Sequence, residues 1–377
     1  MPPAVPLPFP TPLPAPGPVP VLTLASIDPL LRDSTAATLI CDDPRALVIR
    51  YDLDDPHGPD PRPWRTVYTT GGVLEQAEVH PGHGCLTCAI REDLLGTAHR
   101  LPATGPTRIV LALPPTLEPL PLVRALRGYG GPLAAAAVLT AADGATFTED
   151  LLGAATLTER GLAQNPDEER PVAEALTHQV EYSDVVAFPE PPPAMAARLL
   201  AHLGHPGLPI HPHLAHALDA DALAGLRRPS ADPRGDLQAV AGTETDDGDG
   251  IRTLALTAAR PLHPDRLLER IEDLGRGPVR ARGHLWLASR PDSACAWDGA
   301  GNQVSIGSLG PWTRRRAGTR LLVTGTDRTA LDRIRDTFAE LPLTAQEHAR
   351  GADWWSGHGD ALGPWLGVPD DLDEHAH

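Results

Sequence analysis

The chain has 377 residues, of which 41% are hydrophobic and 21% charged, a composition typical of globular proteins with room for two domains. Its net charge of −17 argues against generic or sequence-specific binding of nucleic acid, and no apolar run is as long as a membrane span. Four scattered cysteines and the absence of a secretory leader pattern predict a reduced protein of the cytoplasm.

The chain begins with a proline-rich stretch. Residues 1–18 are mostly proline and small apolar residues, which predicts a disordered or polyproline tail. The sequence also contains no lysine, so all 32 basic residues are arginines. Any site whose chemistry depends on a lysine ammonium group is therefore excluded.

Apolar runs that alternate with helical stretches follow the tail. Buried strands are predicted at residues 19–24, 46–51, 108–113, 134–140 and 185–188. Helices are predicted at residues 30–40, 91–101, 120–127 and 168–180. Because continuous apolar strands are buried on both faces, the pattern predicts an α/β fold over residues 19–228, with a mostly parallel sheet and helices on both faces.

A second domain is predicted after an acidic, glycine-rich linker at residues 229–250. Over residues 251–345 the pattern predicts a small α+β domain, with strands at 252–256, 279–289 and 320–324 and a hairpin at 294–306. Helices are predicted at residues 260–274 and 328–341. Residues 346–377 are predicted to be a tail.

A pair of cysteines is the strongest candidate for a metal site. Cys85 and Cys88 have C-x-x-C spacing, which places two thiolates where they can share one zinc ion. Such a pair is half of a tetrahedral site, and His83 or His80 would be the nearest further ligand. The spacing alone is equally compatible with two reduced cysteines in a loop before a helix.

The segment around these cysteines resembles a known family. Residues 84–95, GCLTCAIREDLL, are similar to the G-C-x-C-C-T-x-R-E-D-L segment of the CobW-type metal-chaperone GTPases, in which the cysteine run binds zinc. Segments of residues 260–312 resemble the CobW C-terminal domain. The resemblance implies a P-loop-NTPase-like domain followed by a CobW C-terminal domain. Thr87 replaces the middle cysteine, so it implies at most a weak zinc site at Cys85, Cys88 and His83.

The nucleotide motifs of that family are degenerate here. Residues 25–35 should contain the phosphate-binding loop, but they have neither the glycines nor the lysine that cradle phosphates, and Asp28 and Asp33 add negative charge. Arg32 is the nearest conceivable substitute for the lysine. Residues 189–192, PEPP, replace the guanine-reading N-K-x-D motif, and the acid and glycine expected at residues 112–119 are also replaced. The sequence therefore predicts no GTP binding and no catalytic residues.

The combination is most similar to an actinobacterial CobW-like group that recruits a ribosome hibernation factor. That resemblance implies a non-catalytic adaptor, which brings the hibernation factor to the small ribosomal subunit under zinc limitation. Two alternatives remain open, a GTP-dependent zinc metallochaperone and a zinc sensor without hydrolysis. We also expect Glu92 and Asp93, an exposed acidic pair at the start of the helix predicted from Arg91, to form a contact surface for the partner together with the C-terminal domain. The sequence is equally compatible with a pair that only stabilises the helix N-terminus.

Overall fold

The computed structural model describes residues 17–54, 62–80, 86–101, 105–163, 168–212, 218–226, 235–312, 317–356 and 360–367. Within these residues the N-terminal domain is built on an eight-stranded sheet of order β4-β3-β2-β5-β1-β6-β7-β8. Its strands are β1 (Val19–Ala25), β2 (Leu47–Asp54), β3 (Arg62–Thr69), β4 (Gly72–Glu78), β5 (Ile109–Ala112), β6 (Leu133–Ala141), β7 (Val185–Ala187) and β8 (Ile210–His211).

Six of these strands run parallel, and β3 and β4 extend one edge as an antiparallel hairpin that the sequence pattern does not predict. The hairpin was missed because β4 has few buried residues, and its two large apolar side chains, Val73 and Leu74, are exposed. The parallel strands are apolar because both of their faces are covered, as in β5, where all four residues are buried. The predicted α/β fold with a mostly parallel sheet is confirmed.

Helices lie on both faces of this sheet. One face packs under α1 and α7, and the other packs under α2 and α3. The helices of this domain are α1 (Pro29–Ile40), α2 (Leu86–Arg100), α3 (Pro119–Gly128), α4 (Phe147–Leu152), α5 (Val172–Tyr182), α6 (Ala194–Leu203) and α7 (Ala220–Gly225). Helix α2 begins five residues earlier than predicted, at Leu86 instead of Arg91.

The C-terminal domain contains a six-stranded antiparallel sheet of order β13-β12-β11-β14-β10-β9 within the described residues. Its strands are β9 (Thr245–Asp246), β10 (Arg252–Ala258), β11 (Val279–Leu285), β12 (Ser293–Ala300), β13 (Gln303–Pro311) and β14 (Thr319–Gly325). Its helices are α8 (Pro264–Glu269), α9 (Ile271–Gly275), α10 (Arg328–Glu340), α11 (Ala345–His348), α12 (Ala352–Ser356) and α13 (Gly363–Leu366).

The β12–β13 hairpin is closed by Gly301 and Asn302, which both have positive φ angles, of 59° and 65°. This is the backbone that a two-residue hairpin with the correct twist requires. The turn also lies against the N-terminal domain, since a Cβ atom on Gly301 would come within 2.3 Å of the Pro171 side chain. A glycine at this position therefore serves both the turn and the contact between domains.

The segment predicted to be a linker is folded onto the C-terminal domain where the structure describes it, from residue 235. β9 pairs with β10, and Glu244 accepts hydrogen bonds from Arg252 and Arg335. Asp246 forms a bidentate pair with Arg328 at 2.9 and 3.0 Å. The acidic residues of this segment, which suggested a free linker, instead pair with arginines of the domain.

The predicted C-terminal tail is likewise packed up to residue 367. Leu362 and Leu366 are buried in the core of the C-terminal domain, and Trp355 is buried beside it. Arg290 holds this segment, since it pairs with the buried Asp360 at 3.0 Å and donates to the Leu366 and Gly367 carbonyls. The pattern missed these residues because α11, α12 and α13 are only one turn or so long.

Candidate functional site

The position of a phosphate-binding loop, between β1 and α1, is occupied by a short connection. Ser26, Ile27 and Asp28 are all that separates the two elements. The Asp28 carboxylate caps α1 and accepts hydrogen bonds from the backbone N–H groups of Leu30 and Leu31, at 2.8 and 3.1 Å. Pro29 has no N–H group. The donors that bind an anion at a helix N-terminus are therefore already used or missing.

Arg32, the nearest substitute for the phosphate-loop lysine, is 1% exposed and fully engaged by the protein. Its guanidinium donates to the Leu113 carbonyl at 3.1 Å, to Asp52 at 2.7 Å and to Asp33 at 2.8 Å. Burial lowers the pKa of Arg32, but the carboxylates of Asp52 and Asp33 outweigh burial and hold its pKa above the ordinary value. Of the two predicted negative charges, Asp33 is thus a partner of this buried arginine and Asp28 is the cap of α1.

A cavity of about 220 Å³ lies beside this connection. Asp28, Asp143 and Asp150 line it, together with Arg160, which is paired with Asp150. Because the lining contains three acidic residues and one basic residue, the net charge around this cavity is negative. Its charge is the opposite of what a phosphate group requires.

The predicted replacement of the guanine-reading motif lies between β7 and α6. Pro189, Glu190 and Pro191 are exposed there. Glu190 is the acidic residue among them, where the family motif has a guanine-reading aspartate. Before β7, the Gln179 amide donates to the Pro115 carbonyl at 2.8 Å, which ties α5 to the segment that follows β5. The side chain of Gln179 therefore serves a contact within the fold.

The predicted metal ligands fall mostly outside the described residues. Cys85 and His83 belong to residues 81–85, which the structure does not describe, and Cys88 lies half-buried in the first turn of α2. The alternative ligand His80 is exposed, with its Nδ1 atom 3.8 Å from a Glu78 carboxylate oxygen. The described part of the chain does not bring these ligands together, so the cysteine site stays a prediction.

The expected acidic start of α2 is wrong. Because α2 begins at Leu86, Glu92 and Asp93 lie beyond its first turn. Glu92 is exposed, but Asp93 accepts a hydrogen bond from the Tyr51 hydroxyl at 2.7 Å and pairs with the buried Arg65. Burial and then the Asp93 charge raise the pKa of Tyr51 well above its ordinary value. Asp93 is therefore a structural partner of β2 and β3.

A second group of polar side chains, which we call the interdomain cluster, lies between α5 and the strands β11 and β12. Arg280 is 1% exposed and makes a bidentate pair with Glu181, at 2.8 and 2.9 Å. It also pairs with Asp298, while Arg282 lies 3.0 Å from Glu181. The members of the cluster are Glu118, Glu174, His178, Glu181, Arg280, Arg282 and Asp298.

His178 stands at the centre of this cluster. Its Nε2 atom is 2.8 Å from Asp298, and its Nδ1 atom is 2.8 Å from Glu118. Burial lowers the pKa of His178, but Asp298 and Glu118 outweigh burial and raise its pKa well above the ordinary value. Burial raises the pKa of Asp298, yet Arg280 and His178 bring it far below the normal range. The cluster thus fixes opposite charges across the domain interface.

One combination in the cluster can hold a metal ion. Ligand atoms of Glu118, Glu174 and His178 lie within 4.8 Å of one another. These residues were not predicted as a site from the sequence. A Glu-x-x-x-His pattern at residues 174–178 of a predicted helix was the available signal, because side chains four residues apart share a helix face. Nothing in the pattern connected it with Glu118, which lies just before α3.

Among the described residues, no helix is both long enough and apolar enough to cross a bilayer.

Comparison with known proteins identifies relatives of this chain. The family model for the cobalamin synthesis protein cobW C-terminal domain matches residues 251–341. A zinc chaperone of Mycobacterium tuberculosis is 34% identical over 292 residues, which cover 72% of this chain and 67% of that protein. The zinc-regulated GTPase metalloprotein activator 1 of Dictyostelium discoideum is 24% identical over 267 residues, 63% of this chain and 55% of that protein.

A structural comparison finds the Zn(II)-bound YjiA GTPase from E. coli, with a TM-score of 0.38 and 14% identity. The match covers 87% of this chain and 100% of the YjiA chain. The family is shown by the sequence relatives, above all by the mycobacterial protein. The chain belongs to the CobW family.

Proposed function

We propose that this protein is a CobW-family adaptor that acts in zinc limitation without binding or hydrolysing GTP. The observation that carries the proposal is the short connection between β1 and α1, where Asp28 caps the helix and Arg32 is buried. A phosphate would have to displace the Asp28 carboxylate from the helix N-terminus. It would also lie near three aspartates of the adjacent cavity.

The adaptor role follows from the resemblance to the group that recruits a ribosome hibernation factor. In that role the protein brings the factor to the small ribosomal subunit. The net charge of −17 favours a contact through protein instead of through the RNA backbone. On α2 the exposed charged residues include Arg91, Glu92 and Arg100, so a partner would meet both charges there instead of an acidic pair.

A second candidate function is zinc handling, either as a GTP-dependent metallochaperone or as a sensor without hydrolysis. The names of the relatives favour it, since one is a zinc chaperone and another a zinc-regulated GTPase metalloprotein activator. In this chain zinc would bind weakly at Cys85, Cys88 and His83. The sensor form is compatible with the filled phosphate position, and the metallochaperone form is not.

Calorimetry with GTP and magnesium tests the absence of nucleotide binding. We expect no saturable heat from the full chain. A dissociation constant below about 10 µM, which corresponds to roughly 7 kcal/mol of binding free energy, would refute the proposal.

Zinc titration of the parent chain and of the Cys85→Ser/Cys88→Ser variant tests the cysteine site. We expect the parent to bind one zinc ion more than the variant does, with an affinity that falls as the pH is lowered, because thiolates and imidazole must lose protons to bind. Equal zinc binding by both proteins would remove the cysteine pair from the proposal.

The partner is tested by affinity capture from zinc-starved and zinc-replete cells of the source organism. The adaptor role predicts that the hibernation factor and small-subunit proteins are enriched with the chain in the zinc-starved sample. Their absence from both samples, with the bait folded and recovered intact, would refute the adaptor role and leave zinc handling.

A further inference from the structure

The interdomain cluster has a geometry that a set of ion pairs alone does not explain. Glu174 and His178 lie one turn apart on α5, and Glu118 is the residue before α3. Their three ligand atoms converge within 4.8 Å of one another. Two carboxylates and an imidazole thus face a common point.

The Nδ1 atom of His178 is the central observation. It is buried and makes no hydrogen bond of normal geometry, although it lies only 2.8 Å from a Glu118 oxygen. The Nε2 atom is 2.8 Å from Asp298, which also pairs with Arg280. When the proton is on Nε2, it donates to Asp298 and the Nδ1 lone pair is directed towards the carboxylates. A carboxylate on the far nitrogen is the usual support of a histidine that binds a metal.

The charges of the cluster also favour a bound cation. Four carboxylates, those of Glu118, Glu174, Glu181 and Asp298, face the two guanidinium groups of Arg280 and Arg282. Arg170, the next cation, lies 3.8 Å from Glu174 but also pairs with the buried Glu168, so it offsets the charge of Glu174 only in part. With neutral His178 the four carboxylates of the cluster therefore keep a surplus of negative charge over Arg280, Arg282 and the shared Arg170. A divalent cation offsets this surplus more fully than a single proton on His178 does.

Space for an ion and its water ligands is also present. A cavity of about 310 Å³ is lined by Glu118, His178 and Asp298 together with both arginines of the cluster. Two of the three ligand residues, Glu118 and His178, lie in its wall, so the cavity adjoins the point where the ligand atoms converge. A site with three protein ligands and an adjoining cavity leaves a coordination position for water.

We propose that Glu118, Glu174 and His178 form a binding site for a first-row divalent metal ion, with zinc as the probe, and that Asp298 orients the histidine from the other domain. Mixed carboxylate and imidazole ligands suit zinc, manganese and iron(II). The site uses neither cysteine of the C-x-x-C pair and does not depend on the proposed adaptor function. Bound metal replaces the proton on His178 and joins α3, α5 and β12 at the domain interface.

Zinc titration of the full chain carrying Cys85→Ser and Cys88→Ser tests the site without the thiolates of the C-x-x-C pair. We expect one zinc ion per chain to bind, and Glu174→Gln to weaken this binding at least tenfold. Asp298→Asn should weaken it by about 10- to 100-fold, the usual effect of losing the group that orients a ligand. Glu169→Gln is the matched control, because Glu169 is exposed and lies outside the cluster.

Zinc-edge X-ray absorption on the same double cysteine variant gives an independent readout that needs no cluster variant to fold. The expected shell contains nitrogen and oxygen ligands, with the scattering pattern of one imidazole. Several outcomes would overturn the site: no saturable zinc binding by the folded cysteine variant, equal affinities of the Glu174→Gln and Glu169→Gln variants, or a shell of several imidazoles. In each case the cluster would instead hold a proton on His178.

Discussion

Two regions of the molecule combine buried arginines with carboxylates, and they do so with different results. At the end of β2 the Arg32 guanidinium is satisfied by Asp33, Asp52 and backbone carbonyls. At the domain interface Arg280 is equally buried and satisfied, but the neighbouring His178 retains an Nδ1 atom without a hydrogen bond.

In the first region the protein's own groups pair with one another, whereas in the second region the pairing is incomplete. The Arg32 region lies where the family's nucleotide site is expected, and its own side chains occupy the donors and acceptors. The interdomain cluster has two more carboxylates than guanidinium groups, and a cavity beside it. A network with complete pairing stabilises the fold, whereas one with a surplus of carboxylates and a histidine nitrogen that lacks a well-formed hydrogen bond can bind an ion.

The largest effect should come from the interdomain cluster. Arg280→Met keeps most of the side-chain volume but leaves Glu181 and Asp298 without their shared partner. We expect the free energy of unfolding to fall by about 3–5 kcal/mol, the usual cost of removing one member of a buried ion pair. Urea denaturation of the full chain measures it.

Arg276→Met is the matched control for this change, because Arg276 is an exposed arginine of the same domain. It should alter stability by no more than about 0.5 kcal/mol. If both variants unfold at the same urea concentration, the Arg280 pairs do not stabilise the protein and the comparison fails.

The Glu181→Gln variant tests the same cluster through the pH dependence of its stability. Burial raises the pKa of Glu181, but Arg280 and Arg282 outweigh burial and hold its pKa below the ordinary value. A carboxyl group whose pKa is lower in the folded than in the unfolded protein stabilises the folded state at pH values above its unfolded pKa, which is about 4.3 for glutamate. This contribution is lost as the pH falls through the pKa of the folded state. At pH 7 the variant should lose about 1.5–3 kcal/mol, the range for hydrogen bonds to charged groups.

Between pH 6 and pH 3 the parent should lose stability more steeply than Glu181→Gln, because glutamine cannot take up a proton. Thermal unfolding at a series of pH values provides the two curves. Parallel curves would show that the carboxylate of Glu181 does not contribute to acid sensitivity.

The parts of the molecule that could be predicted from sequence are those determined by local pattern. The parallel strands were recognisable because both faces are buried, as in β1, whose last five residues are all buried. The β3–β4 hairpin was missed because β4 has no fully buried residue, and the helices after residue 344 were missed because each is only about one turn long. The interdomain cluster was also missed, since its members come from residues as far apart as Glu118 and Asp298, and only the tertiary fold brings them together.

Arg32→Met tests the filled region. It should cost about 1–3 kcal/mol, because two backbone carbonyls lose a buried donor while Asp33 and Asp52, each about one-third exposed, can be rehydrated. This is less than the cost expected for Arg280, whose partners are more deeply buried. Arg45→Met, at an exposed arginine, is the control. A larger loss for Arg32 than for Arg280 in urea denaturation would reverse the comparison.

The smallest effect is expected at the helix cap. Asp28→Ala removes the acceptor for the Leu30 and Leu31 N–H groups and should reduce the free energy of unfolding by about 1 kcal/mol. Asp28→Asn keeps a capping oxygen without the charge and should cost less. Thermal unfolding ranks the three proteins.

Neither variant should gain saturable GTP binding in calorimetry, because Arg32 remains paired and the lysine and glycines are absent. GTP binding by both variants would show that the Asp28 charge alone blocks the nucleotide, whereas binding by Asp28→Ala alone would assign the block to the cap.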